Sequence, residues 1–516
     1  LLSRLLGGLA RIPLTRLLGG EGMGIFQMAH VLFNLAVTFA VSGLCVAVSR
    51  QVAAAQAHGR TGEVGGILGR AVLLATVTGL GFWAVLDRGA AFLATGVLGE
   101  PRAVSALRSI ALAVLPVSLA AALKGYFQGF LDMVPPSVAQ VTEQVVRVAA
   151  MMWLVVVFRE AGLERAVAGA VAGNTVGAVA SLALLAWWYA ARGLWRPGRR
   201  VSPGFRLPAP PRPRRARPRR TAGSGGPLAP LARLSAALAL GAFILGLMDA
   251  AQTLLVPWRL QSSAGLSAAK ATYLYGQLHG MAYPLAGLPA IVASAIATAL
   301  VPSVTEATER RQPGEVLARV ELALRLTLLL SLPATVGLVV LARPLSAMLF
   351  GIPEAGVPLA YVSAACLLIS VQQTTSGVLQ GLGLVTVPVW GLGAGLVANA
   401  AVTYLLTGLP GLGVNGAALG IVAGFAVAAA VNLVAVRERA RLRVGLPALA
   451  VRPGLVSLGM GVVVRAVYAR LAAAGATAAT LVAVLAGVSA YALGLALTGG
   501  YAGIGRTPGS GGGPGR

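Results

Sequence analysis

Apolar runs of roughly 18 to 25 residues recur along almost the whole chain, and that length decides what it can fold into. Each run crosses a ~30 Å hydrocarbon core as one α-helix, the form that satisfies every backbone N–H and C=O where there is no water. Composition agrees. Of 516 residues, 57% are hydrophobic and 11% charged, with a mean hydropathy of +0.82, whereas soluble domains carry about 25% charged residues. A soluble enzyme is excluded, and an all-α polytopic membrane protein of about fourteen transmembrane helices is expected. Among these spans are the first (2–19), second (26–49), fifth (137–157), seventh (234–257) and eighth (278–301). The last two cover 454–473 and 477–498.

The net charge of +26 would point to nucleic acid in a soluble chain. Here its placement says otherwise, and no nucleic-acid partner is expected. The arginines gather in the loops after even-numbered spans: "RQVAAAQAHGR", "TERRQPGEVLAR", "RERARLRVG", and a central loop with eleven Arg and no acid between Arg192 and Arg220. The positive-inside rule puts these loops, and both termini with them, in the cytoplasm. The central loop reads either as a Pro-rich spacer that fixes topology or as a surface for anionic lipid or a partner protein. Lys124 and Lys270, the only lysines, read as base composition without a mechanism. Cys45 and Cys366 fall in apolar runs and read as packing residues. No phosphate-binding loop, nucleophile elbow or metal-ligand spacing is present, so no catalysis, cofactor or metal is expected. The sequence does not begin with Met, so a few residues are expected to precede Leu1.

A duplication lies beneath the spans. "KGYFQG" at 124–129 recurs as "SGVLQG" at 376–381, and Glu63-Val64 recurs as Glu315-Val316, both offset by 252 residues. "ERAVAGAVAG" at 164–173 lines up with "NGAALGIVAG" at 415–424, offset by 251. The expected organisation is an N-terminal six-helix lobe (1–191), a basic linker (192–233) and a C-terminal six-helix lobe (234–436). Two additional helices (437–500) and a flexible tail (501–516) follow. Parallel repeats facing each other in a V are a transporter design, with the substrate site between them near the midplane. Gly125, Gln128, Gly129, Gln380 and Gly381 mark equivalent turns, as gate or packing positions.

Ionisable groups inside spans mark candidate function. The opening "LLSRLLGGLARIPLTRLLGG" carries Arg4 and Arg11 seven residues apart, on one stripe with Gly7, Gly8 and Thr15. Two central arginines cost roughly 5–7 kcal/mol on insertion scales. Eight leucines and an isoleucine return about 3–5 kcal/mol. Such a helix holds if its stripe faces a wet cavity between lobes. No small-residue cleavage site marks it as a signal peptide. Arg16, near the far end, reads as an interfacial anchor. In the fifth span Gln140, Glu143, Gln144 and Arg147 form one polar stripe at i, i+3, i+4 and i+7. It serves either as a buried ion pair that pins the helix or as cavity lining. Asp249 is the only acid of the seventh span, placed to pair with an arginine of the first lobe or to couple an ion.

At these residues the chain resembles a family. "SRLLGGLARIPLTRLLGGEGMGIFQMA", "KGYFQGFLDMVPPSVAQVTEQVVRV" and "TYLYGQLHGMAYPLAGLPAIVASAIATALVPSVTEA" are similar to motifs of the stage V sporulation protein B group of the oligosaccharidyl-lipid flippase superfamily. The resemblance implies a flippase for polyprenyl-pyrophosphate-linked saccharides, such as the peptidoglycan precursor lipid II, with a link to spore cortex. Its substrate would be the lipid-linked saccharide and its surroundings the membrane lipids. Arg4 and Arg11 match paired cavity arginines of lipid II flippases. One departure stands out: those flippases also carry cations in the second and eighth helices. Here the second span has no Arg or Lys and the eighth offers His279 and Tyr283. The rival expectations are a cation-coupled multidrug exporter of the same superfamily and a membrane scaffold for cell-wall enzymes.

Overall fold

A computed structural model gives the fold, described over residues 2–41, 43–191, 228–440 and 446–499. The first half comprises α1 (Leu2–Val41), α2 (Leu44–Ala57), α3 (Val64–Arg88), the short α4 (Ala90–Phe92), α5 (Ala103–Ala111), α6 (Val114–Gly129), α7 (Val134–Phe158) and α8 (Leu163–Ala191). The second half opens with α9 (Leu228–Ser262), α10 (Ala268–Tyr275), a π-helical turn (Gly276–Ala282) and α11 (Tyr283–Glu309). It continues through α12 (Pro313–Val340), α13 (Ala342–Phe350), α14 (Gly356–Val362), α15 (Ala364–Gly381), α16 (Val387–Thr407) and α17 (Val414–Arg439). The chain closes with α18 (Leu446–Leu471) and α19 (Ala476–Leu497). Of the expected linker, residues 192–227 lie outside the described residues, and 228–233 already belong to α9. The expected tail lies outside them too.

Among the described residues, twelve helical stretches are long and apolar enough to cross a bilayer. The number is thirteen when Pro353–Val362 and Ala364–Gly381, bent by 43°, count as one span. The expected fourteen differs at the N-terminus, where 2–19 and 26–49 share one 52-residue stretch, Leu6–Ala57. As helix that stretch measures about 78 Å, more than twice the hydrocarbon thickness. Gly19 breaks it, with φ 68° and ψ −176°. Only a residue without a Cβ takes that conformation at no steric cost, so the helix changes course there with no loop.

The buried residues show how the halves join. One core draws Leu14, Phe26, Leu107 and Val171 from the first half and Tyr275, Met281, Leu359 and Ile421 from the second. Two others stay within one half each: Val52, Leu68, Tyr126 and Leu185 in the first, Val304, Val320, Val378 and Val436 in the second. The halves are therefore fused where the shared core sits and have separate interiors elsewhere, as in a V. Met460, Val464 and Ala483 of the last two helices pack on Leu341, which attaches them to the second half.

The duplication is legible in the packing. A Cβ on Gly125 would stand 2.6 Å from the Cys45 carbonyl oxygen, and one on Gly377 would stand 2.8 Å from that of Ala297. Gly129 meets Val52 and Gly381 meets Val304 in the same way. Both partners in each pair are shifted by 252 residues. These glycines let α6 cross α2, and α15 cross α11, at backbone contact. Gln128 accepts a hydrogen bond from the Cys45 thiol at 3.4 Å, while Gln380 is half-buried.

Gly129→Val and Gly381→Val should each destabilise the protein, because the new Cβ would lie 2.6 Å from Val52 and 2.9 Å from Val304. Overpacking of this kind costs about 1–3 kcal/mol. Gly69→Ala, with nothing within 4 Å of the added carbon, should leave the thermal midpoint of detergent-solubilised protein unchanged or slightly raised.

Candidate functional site

Where the shared core ends, a cavity of about 670 Å³ opens between the halves, roofed by Leu14, Phe26, Met151 and Ile369. Arg11, Glu143, Arg147, Asp249, His279 and Tyr283 all line it. They come from α1, α7, α9, the π-turn and α11, so folding gathers candidates that are up to 272 residues apart. The side chain of Arg4, on the first turn of α1, lies outside the described residues. None of the glycines and glutamines at the repeat turns lines this cavity.

Arg11 links the halves directly. Its Nη1 donates to the carbonyl of His279 at 3.2 Å. That carbonyl is accessible for a reason written in the sequence. In a π-turn the partner would be the N–H five residues on, and residue 284 is proline, which has none. The His279 ring stacks on Tyr275 with centroids 4.8 Å apart and leans on Tyr283 at 5.7 Å. The Tyr275 hydroxyl lies 2.7 Å from that of Thr253. Asp249 interacts electrostatically with Arg11 from the opposite wall. Thr15, expected on the cavity stripe, is instead fully buried and donates to the Arg11 carbonyl at 2.7 Å.

On α7 the polar stripe faces the cavity along its length, with Gln140, Glu143, Gln144 and Arg147 all in the wall. Glu143 and Arg147 do form the helix-pinning pair, yet they do so inside the cavity. Lys124 joins them, its ammonium 3.2 Å from the second Glu143 oxygen. The reading of Lys124 as mere base composition is thus corrected: it lines the cavity, on the last turns of α6. Gln27, His30 and Asn34 of α1 also line it. Their i, i+3, i+7 spacing is the signal that marked α7, and it was available in "FQMAHVLFN". Asn174, next to Thr175, and Gln373, within the polar run "QQTTS" at 372–376, line it too, and no helical i, i+3, i+7 spacing marked either of them.

The family model for polysaccharide biosynthesis proteins matches residues 1–308. The stage V sporulation protein B of Bacillus subtilis (strain 168) is 30% identical over 424 residues, 82% of this chain and 79% of that protein. The chain belongs to the polysaccharide biosynthesis protein family. Within it, the chain falls in the group like stage V sporulation protein B, part of the MOP superfamily. The family model for the lipid II flippase MurJ matches residues 271–354. The Bacillus subtilis lipid II flippase MurJ is 28% identical over 204 residues, 37% of this chain and 38% of that one. Two solved structures share the fold. An inward-facing multidrug resistance MATE family transporter has a TM-score of 0.66 at 18% identity, covering 85% of this chain and 94% of that one. MurJ in an inward closed conformation has a TM-score of 0.64 at 11% identity, covering 96% and 97%. This family member is a membrane transporter related to lipid II flippases.

The fused end of the polysaccharide biosynthesis protein fold is held by polar bonds as well as by its core. Arg16 is no simple interfacial anchor: it reaches across to α13 and donates from Nε to the Leu349 carbonyl at 2.9 Å and from Nη2 to that of Met348. A guanidinium on the last carbonyls of a helix satisfies groups the helix leaves open and complements its dipole. Thr272 donates to Glu100 at 2.6 Å, again from half to half. Arg102 grips the same carboxylate through Nε and Nη2, at 2.7 and 2.8 Å, and reaches Glu21 at 2.6 Å. Between these bonds the backbones touch, since a Cβ on Gly276 would lie 2.0 Å from the Gly20 carbonyl oxygen.

Glu100 lies in the turn before α5, only 1% exposed. Burial alone would raise its pKa, but the hydrogen bonds from Arg102 and Thr272 and the charge of Arg102 outweigh burial and hold it below its ordinary 4.5. Its contribution to stability is therefore complete above pH 4.5 and is lost as pH falls through the lower folded value. The thermal midpoint should drop on acidification from about pH 5 to pH 3. Glu100→Gln should start lower by roughly 1–3 kcal/mol of stability, and its midpoint should depend less on pH in that range.

Proposed function

We propose that the protein carries a polyprenyl-pyrophosphate-linked saccharide, a lipid II-like peptidoglycan precursor or a related polysaccharide unit, across the bacterial cytoplasmic membrane. In this reading both termini are cytoplasmic and residues 1–191 and 234–436 act as two lobes that rock about the fused end. The head group enters the cavity from the cytoplasmic leaflet while its polyprenyl tail stays in lipid, and it leaves when the fused end parts. Resemblance to stage V sporulation protein B makes spore cortex synthesis the natural setting.

The observation that carries the reading is the charge of the cavity wall. Arg11, Lys124 and Arg147 face two acids, Glu143 and Asp249, in a space large enough for a sugar-bearing head group. A pyrophosphate needs such cations, and guanidinium groups bind phosphate oxygens in pairs. A cation-coupled multidrug exporter is the second reading, favoured by Asp249, which interacts electrostatically with Tyr275 and Tyr283, the two rings that flank His279. Against it, each cavity acid already faces a cation of its own.

Exposure of lipid-linked saccharide on the outer leaflet, compared with and without the protein in vesicles, tests the proposal. Arg11→Ala should reduce it by about tenfold or more, the effect of losing one charge-assisted contact, at unchanged membrane levels. Wild-type exposure in that variant would remove Arg11 from the site. Efflux of cationic dyes without lipid exposure would favour the exporter.

A further inference from the structure

The charges in the cavity wall are not spread evenly. Arg11 is balanced by Asp249 on the facing wall and committed to the His279 carbonyl. On the first half alone, two cations share one carboxylate: Lys124 and Arg147 each take one oxygen of Glu143. The triad therefore holds the positive excess of the described wall. It also has donors to spare. The Arg147 Nε is buried and has no partner within the protein, and an ammonium offers three protons, of which Glu143 takes one. The Glu143 side chain is 15% exposed, against 26% and 25% for its two cations, so the positive groups are the more accessible. Gln140 and Gln144 flank the triad on the same wall with amides that can donate.

We infer that the Lys124–Glu143–Arg147 triad is the primary docking site for a phosphate-bearing head group, with Arg11 engaged only afterwards. This rests on the flippase reading for the source of the phosphate, though not for the existence of the site. A dianionic phosphate draws Lys124 and Arg147 away from Glu143 without leaving the first half. Docking thus precedes any movement of the lobes. Arg11, held by a carbonyl of the second half, is the group whose bond must break for the lobes to move.

The test uses full-length protein in neutral detergent, with inorganic pyrophosphate as the probe and calorimetry as the readout. Lys124→Met should weaken binding by about tenfold, more than Arg11→Ala does, while Glu143→Gln should tighten it by a similar factor because it frees two cations. Arg16→Gln, at the fused end, should bind as wild type. The opposite signs matter, since a triad that only braced α6 on α7 would lose affinity in both variants. If Lys124→Met fails to fold by thermal unfolding, Lys124→Arg must bind as wild type while Glu143→Gln still binds more tightly. Dihexanoyl-phosphatidylglycerol, carrying one charge, should compete about tenfold less well than pyrophosphate. Equal competition would assign the site to ordinary anionic lipid and overturn the proposal. So would an unaffected Lys124→Met, a weakened Glu143→Gln, or no pyrophosphate binding up to about 10 mM, the weak end of specific binding. The two readings fail separately. Pyrophosphate binding with the expected pattern in a protein that leaves outer-leaflet lipid unchanged keeps the triad and ends the flippase. Lipid exposure at wild-type rate in Lys124→Met keeps the flippase and ends the triad.

Discussion

A guanidinium in the middle of a hydrocarbon layer must find water, a counter-charge or a carbonyl, because lipid offers none of these. Arg11 finds its carbonyl in the other half of the chain, on a turn that proline has left with an oxygen to give. That one requirement organises much of the molecule. It draws the first helix between the halves and seats Gly7 against Gln144 and Gly8 against Leu288. It also keeps a polar space open beside the first helix. Leucines supply the energy that holds α1 in the membrane, and the arginine decides which side of it faces lipid.

Separate interiors at one end and a common interior at the other follow from the same division of labour. The first half builds its private core on α2, α3 and α6, the second on α11, α12 and α15, and the glycine crossings repeat between them. Each half thus has an interior of its own where it stands alone. The contacts between halves are of a different kind: directional bonds from Arg16, Arg11 and Thr272, over a core of mixed origin. Directional bonds break one at a time and re-form, which suits the rocking proposed for the two lobes.

Much of this was legible in the sequence. Apolar run length gave the helices, the 252-residue offset gave the repeated crossings, and Arg11, Glu143, Arg147, Asp249, His279 and Tyr283 do meet in one cavity. The misses have physical causes. Lys124 closes an apolar helix near its end, where a lysine usually reaches for the headgroups, and only the neighbouring α7 reveals that it turns inward to Glu143. Gln27, His30 and Asn34 make a stripe too weakly polar to interrupt a hydropathy profile. The two first spans ran together because Gly19 bends the chain by backbone conformation alone. The bonds of Arg16 were not legible because its partners are backbone carbonyls more than 330 residues away, and a carbonyl has no letter in a sequence.

The glycine seam at the fused end has a consequence for the cell beyond the movement of a cargo. Where Gly20 and Gly276 bring backbone against backbone, no water molecule fits between the two helices, and a contact without water gives protons and small ions no path at that point. A wide polar chamber sunk into an energised membrane is safe only while its far end stays dry. Here the close approach rests on the absence of side chains: a methyl group on Gly276 would stand 2.0 Å from the Gly20 carbonyl oxygen and force the two helices apart.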